Sequence, residues 1–167
     1  MEIAHPNSLV LKPFPNGITV SLGKIAEKIE FSLKAVGVDF DAIVVLLDRE
    51  RRALPAADIA VELQQRLAEL CPGRSFVIGV SDIQVENWIL ADVDRMRARF
   101  GNEAYIYAGD GVGGKRRLGE LSGGESFSPR AKAELLKSCK ASSIRASSAS
   151  FDRFCGAANF EWFWLAA

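Results

Sequence analysis

From residue 23 to residue 36, apolar side chains recur at spacings of three and four. Ile25, Ala26, Ile29, Leu33 and Val36 form one stripe, and Lys24, Glu27, Lys28, Glu30 and Lys34 fill the other face. That pattern predicts an amphipathic helix, with Ser21 as its N-cap and Gly37 just past its end. Phe31 falls off the stripe. The next stretch, Ala42-Ile43-Val44-Val45-Leu46-Leu47, is unbroken and rich in branched residues until it stops at Asp48. A run so short and continuous predicts a strand buried on both faces. Leu54-Pro55 opens a second helix, with Pro55 in its first turn and Asp58 favourable near the positive end of its dipole. Ile59, Leu63, Leu67 and Leu70 give its buried side, Cys71-Pro72-Gly73 stops it, and residues 75–81 predict another strand.

Residues 82–100 then read as one helix, with Val85, Trp88, Ile89, Val93 and Met96 on a stripe. Tyr105, Ile106 and Tyr107 predict a strand over 104–108. Ser128-Pro129 starts a helix running to about Lys140, residues 142–150 read as linker, and Ser150 caps a last helix holding Phe151, Phe154 and Cys155. Near the start, Leu9-Val10-Leu11 predicts a short strand. Pro6, Pro13 and Pro15 bracket it, and proline cannot donate to a ladder, so it belongs at a sheet edge. Asn16-Gly17 is a turn signal that pairs Ile18 to Val20 back as a second arm.

Strand, helix, strand, helix, strand in that order predicts a single α/β domain over residues 1–167, with a central, mostly parallel sheet flanked by helices. Within it, 1–17 is an irregular start or edge hairpin, 109–128 a glycine-rich loop and 129–167 a C-terminal helical part. The length of 167 residues, with 49% hydrophobic and 25% charged, suits one well-buried domain rather than two.

Lys plus Arg and Asp plus Glu both number 21, so no global field draws the chain to nucleic acid or to an anionic membrane. Phosphate contact must come from a local patch, and Lys115, Arg116 and Arg117 are the clearest basic cluster. Cys71, Cys139 and Cys155 are odd in number and widely spaced, matching neither a disulfide framework nor a zinc site. A reduced, cytoplasmic setting is expected. No apolar run approaches the ~20 residues of a membrane span. The aromatic tail Phe160-Glu161-Trp162-Phe163-Trp164-Leu165 either closes over the core or makes a homodimer contact.

Candidate chemistry gathers beyond the first strand. Asp48 and Glu50, two apart on an extended chain, point the same way at a carboxyl end, where open α/β sheets bind ligands. Two such carboxylates repel unless a cation lies between them, and a hard ion such as Mg2+ or Mn2+ is the natural occupant. The ordinary alternative is a pair of solvated acids neutralised by Arg49, Arg51 or Arg52. Glu86 is either an acid favoured by a helix N-terminus or a side chain reaching the same crevice. Asp39 and Asp41 precede the strand and stand at its opposite end. Gly109 to Arg116 nearly matches a phosphate loop but has Arg116 where a hydroxyl should follow Lys115. Leu121-Ser122-Gly123-Gly124-Glu125 resembles an ABC-type ATPase signature, in the wrong order relative to the strand. The single histidine, His5, lies near the terminus, which argues against a Ser-His-Asp arrangement.

Three pieces together carry a resemblance: the strand end Asp48-Arg49-Glu50, the segment Glu86-Asn87-Trp88-Ile89-Leu90-Ala91-Asp92, and the stretch from Ser147 through Ser150-Phe151-Asp152-Arg153-Phe154. They resemble a Toprim-like family of uncharacterised bacterial proteins, often encoded beside ATPases in mobile or phage-defence loci. The likeness runs from about Ile18 to Phe154, with Lys115 and Leu118 in the place of a basic residue and a leucine. It implies an Asp-x-Asp pair and a glutamate after an earlier strand, holding magnesium for phosphodiester chemistry. Asp48 takes the place of the first aspartate and Glu50 replaces the second. The usual strand running into a Glu-Gly turn is not visible before Ser8. The chain begins after that element, or Glu86 supplies the third ligand and general base, or the site is degenerate. The resemblance therefore implies a magnesium-dependent nuclease or nuclease-related subunit, with Lys115, Arg116 and Arg117 on nucleic-acid phosphates. The alternative is a non-catalytic module that partners an ATPase or homodimerises.

Overall fold

The computed structural model describes residues 16–37, 40, 43–124 and 126–158. Among these residues it is a mixture of helix and strand, with a two-stranded parallel sheet and eight helices. In chain order they are α1 (Leu22–Val36), β1 (Ile43–Asp48), α2 (Ala56–Leu70), β2 (Phe76–Ser81), α3 (Glu86–Leu90), α4 (Val93–Phe100), α5 (Gly114–Leu121), α6 (Pro129–Lys137), α7 (Ala141–Ser147) and α8 (Ala149–Ala158).

Local chemistry sets α1 and α6 where the pattern predicts. Ser21 Oγ accepts the Lys24 N–H, and Gly37, at φ 67°, adopts the left-handed cap that lets its N–H reach Leu33 O. Ser128 Oγ accepts the Ala131 N–H at 3.1 Å, with Pro129 first in the helix. In α2, Pro55 is the N-cap rather than a first-turn residue, and Leu70 is left partly exposed while Ile59, Leu63 and Leu67 are buried.

The strands run in parallel, Ile43 beside Phe76 through to Asp48 beside Ser81. On one face Val45, Leu47, Phe76, Ile78 and Val80 join α1 and α2 in the largest core cluster. On the other, α8 covers β2: Phe154, Cys155 and Ala158 cluster with Val77. Contact there is close at Gly79, where an added Cβ would lie 2.5 Å from Leu46 Cδ2 and 2.8 Å from Phe154 Cδ2. β1 has no such cover among the described residues. Val44 and Leu46 are 46% and 51% exposed, so two-sided burial holds for β2 and not for β1.

Other expectations are corrected by tertiary contacts. The single helix over 82–100 breaks at Asp92, whose Oδ1 accepts the Arg95 N–H and whose Oδ2 accepts the Lys140 N–H at 2.6 Å. Residues 104–108 form no strand, because their tyrosines reach elsewhere. Tyr105 donates to Leu90 O and Tyr107 to Asp110 Oδ1. The glycine-rich stretch is not loop throughout: α5 forms because Leu118 is pulled into a cluster with Ile89, Leu90 and Met96. The expected linker is α7, anchored by buried Ile144, leading directly into α8. Residues 18–20 are turn rather than a second hairpin arm, because Arg52 takes the carbonyls of Gly17 and Val20. His5, Asp39, Asp41, Glu125, the Leu9–Leu11 segment and the aromatic tail lie outside the described residues.

Candidate functional site

At the carboxyl end of β1 a cleft of about 530 Å³ opens, and Asp48, Glu50, Ser81, Asn16 and Trp88 are among its walls. Asp48 is held there by the backbone around it. Its Oδ1 accepts the Ser81 hydroxyl at 2.7 Å and the Val85 N–H at 2.8 Å, and its carbonyl accepts Asn16 Nδ2 at 2.7 Å. Its Oδ2 has no hydrogen-bond partner among the described residues. The neighbouring arginines do not neutralise it. Arg49 Nε donates to Asp82 Oδ1 and its Nη1 to Arg52 O at 2.9 Å. Arg52 is spent on Asn16, Gly17 and Val20, and Arg51 is exposed.

Backbone strain marks the same place. Glu50 has φ 55° and Ile83 has φ 63°, and the Glu50 N–H donates to Ile83 O at 2.9 Å. A β-branched residue at positive φ is an outlier, and each such position costs about 1–3 kcal/mol. Two of them joined by one hydrogen bond fix how Glu50 leaves β1 and enters the cleft.

Glu86, one residue past Val85, goes elsewhere. It is 1% exposed; Oε1 lies 2.6 Å from Lys132 Nζ, and Oε2 is buried without a partner among the described residues. The next residue, Asn87, places Nδ2 within 2.8 Å of Asp82 O, 2.5 Å of Asp110 O and 2.8 Å of Val112 O, which ties the 110–112 turn to α3. Trp88 Nε1 donates to Ser150 Oγ at 2.8 Å, and the Ser150 N–H donates to Asp110 Oδ2. The indole stacks on Phe154 at 5.6 Å and 11°. Burial, reinforced by the bond to Asp110, pushes the Tyr107 hydroxyl far above its ordinary range, and burial raises Tyr105 to about 12. Cys139 is likewise pushed up to about 12 by burial, so it is a thiol rather than a nucleophile at neutral pH.

Asp48 and Glu50 therefore share one cleft, and Glu86 is not among its walls. Nor are Lys115, Arg116 and Arg117, which ride on α5: the Lys115 N–H donates to Gln84 Oε1 and Arg116 pairs with Glu120 at 2.5 Å. Among the described residues no group of three or more His, Cys, Asp or Glu side chains stands close enough to hold a metal by itself. None of the described helices is long and apolar enough to cross a membrane. Sequence reasoning missed Ser81, Asp110 and Lys132, and it gave Ser150 as a helix cap, whereas Ser150 lies inside α8 and Ser148 Oγ accepts the Phe151 N–H. A buried indole N–H needs an acceptor, which was a usable sign of a polar partner for Trp88. Lys132 is 46 residues from Glu86 and carried no local signal.

Comparison with family models, with curated proteins and with solved structures gave no match.

Proposed function

We propose that this chain is a Toprim-like α/β domain, with a mostly parallel sheet flanked by helices, and that its Asp48–Glu50 cleft holds Mg2+ or Mn2+ for phosphodiester hydrolysis on a nucleic acid. The observation that carries the reading is the state of Asp48: one carboxylate oxygen is fixed by Ser81 and Val85, and the other has no hydrogen-bond partner among the described residues, in a cleft, while Arg49 is bound to Asp82. Magnesium keeps several waters and takes one or two carboxylates plus substrate phosphate rather than a full protein cage. Two acids in a cleft suit that ion; they do not suit a site built wholly from protein ligands.

A cation at that point would polarise a phosphodiester and acidify a water molecule. Ser81 and Val85 hold Asp48 through its first carboxylate oxygen, at the wall of the cleft. The strained turn at Glu50 brings a second carboxylate beside it. Glu86 is given a different part from the one the resemblance implies: its pair with Lys132 holds α6 against α3. Lys115, Arg116 and Arg117 would meet phosphates only beyond the cleft, on α5.

Calorimetric titration with Mg2+ and with Mn2+ tests the site, followed by cleavage assays on single- and double-stranded DNA and RNA. Saturable heat that disappears in Asp48→Asn, with cleavage requiring the ion, is expected. No heat with either ion would overturn the reading. A second reading, an interaction module that docks on an ATPase or on its own copy, is favoured by the basic trio's not being among the cleft walls. Ion binding without cleavage of any nucleic acid would select it.

A further inference from the structure

The two arginines that follow β1 are engaged in different ways. Arg49 pairs with the Asp82 carboxylate. Arg52 is half-buried, yet among the described residues no carboxylate pairs with it and its buried Nε has no partner. Neutral oxygens take the place of an acid. Nη1 donates to Val20 O at 2.6 Å, and Nη2 to Gly17 O at 2.9 Å and Asn16 Oδ1 at 3.2 Å. A guanidinium offers its donors as a rigid planar fork, so one side chain gathers three points of residues 16–20 at once.

The contact with Asn16 fixes more than the turn. Arginine can only donate, and a main-chain carbonyl can only accept. With Oδ1 turned to Arg52, the Asn16 amide must present Nδ2 on its other side, where it meets Asp48 O at 2.7 Å. The amide is therefore a one-way relay from Arg52 to the end of β1. Asn16 and Gly17 are themselves walls of the cleft that holds Asp48 and Glu50. Arg52 is set in turn by Arg49, whose Nη1 donates to Arg52 O at 2.9 Å. Among the described residues, the hydrogen bonds that tie 16–20 to the end of β1 run through Arg52 and Asn16.

We propose that Arg52 is a positioning residue of the cleft: through the Asn16 amide it fixes the wall at 16–17 and the main chain of Asp48, and with them the approach of an ion to the two carboxylates. The inference rests on the ion site proposed at Asp48 and Glu50. Its sign is distinctive. A fixed positive charge repels a cation, so by charge alone the loss of Arg52 would tighten ion binding. By shape, its loss loosens binding.

Arg52→Lys separates the two, because it keeps the charge and loses the fork. In calorimetric titration of the full chain with Mg2+, this variant should bind about tenfold more weakly, as when a support behind a metal ligand is removed. Asn16→Ala should weaken binding to a similar degree, and the double variant no further, because the two residues act in series. With no ion present, NMR should show the Asn16 side-chain amide protons apart from those of exposed amides in the unmodified chain, and merged with them in Arg52→Lys. Unchanged or tighter Mg2+ binding in Arg52→Lys, even with a lowered urea midpoint, would overturn the inference. So would additive losses in the double variant, or Asn16 signals indifferent to Arg52→Lys. No heat from the unmodified chain would instead overturn the ion reading beneath it, and the Asn16 signals tell that result apart from failure of the relay.

Discussion

The carboxyl end of β1 and the start of α3 both carry acids beside a strand end, and in sequence they look alike. They differ in what surrounds the charge. Asp48, in a cleft, keeps one oxygen without a partner among the described residues, and its neighbour Glu50 sits on strained backbone. Glu86 and Asp92 are each 1% exposed and committed to the fold, one to Lys132, the other to the N–H groups of Arg95 and Lys140. An acid is available for a ligand when the protein fixes its position without satisfying it. It is a strut when it is buried and its charge is tied to another part of the fold, as Glu86 is through one oxygen to Lys132 and Asp92 through both oxygens to Arg95 and Lys140.

Substitutions should separate the two regions, and the largest effect belongs to the strut. Lys132→Met leaves the Glu86 carboxylate buried and alone, and is expected to cost about 3 kcal/mol or more in urea unfolding. Adding Glu86→Leu should recover much of that loss. If Lys132→Met alone changes stability by only a few tenths of a kcal/mol, Glu86 is not held as described. Asp92→Ala removes the α4 cap and the acceptor for Lys140, for an expected loss of about 2–3 kcal/mol by the same measurement.

Gly114→Ala sharpens the contrast at the α3–α5 contact. An added Cβ would lie 2.8 Å from Asn87 Oδ1 and 2.9 Å from Asn87 N, and backbone cannot yield as a side-chain tip can. A loss of about 2 kcal/mol is expected in thermal or urea unfolding. The opposite sign is expected in the cleft. Glu50→Gly relieves a left-handed conformation and should stabilise by up to about 1 kcal/mol while weakening any ion binding there. A loss of stability would show that Glu50 is itself structural.

Alkaline titration gives the gentlest test. Burial raises the folded Tyr105 hydroxyl from 10.0 to about 12, so deprotonation favours the unfolded chain. The stability tied to Tyr105 is complete below pH 10 and is lost as pH rises toward 12. Circular dichroism over that range should show stability falling, and Tyr105→Phe should flatten the slope.

Periodicity made α1 and α2 legible and unbroken apolar runs made β1 and β2 legible, because all four contribute to the same core. The cleft acids were legible too, since Asp48 and Glu50 are local to one strand end. What failed was long range. The break at Asp92 depends on Lys140, 48 residues away, and the fate of Glu86 on Lys132. The tyrosines at 105 and 107 have strand-like chemistry but spend their hydroxyls on Leu90 and Asp110. β1 has the composition of a strand covered twice, and nothing local could reveal that, among the described residues, α8 covers β2 and not β1.

The most direct measurement is Mn2+ titration watched through amide resonances, because a paramagnetic ion broadens nearby signals and so reports its own position. The account predicts broadening strongest at Asp48, Arg49, Glu50 and Val85, erased by Asp48→Asn, and weakest at the far ends of the strands, Ile43 and Phe76. Broadening centred on Glu86 and Lys132, or none at all, would contradict it.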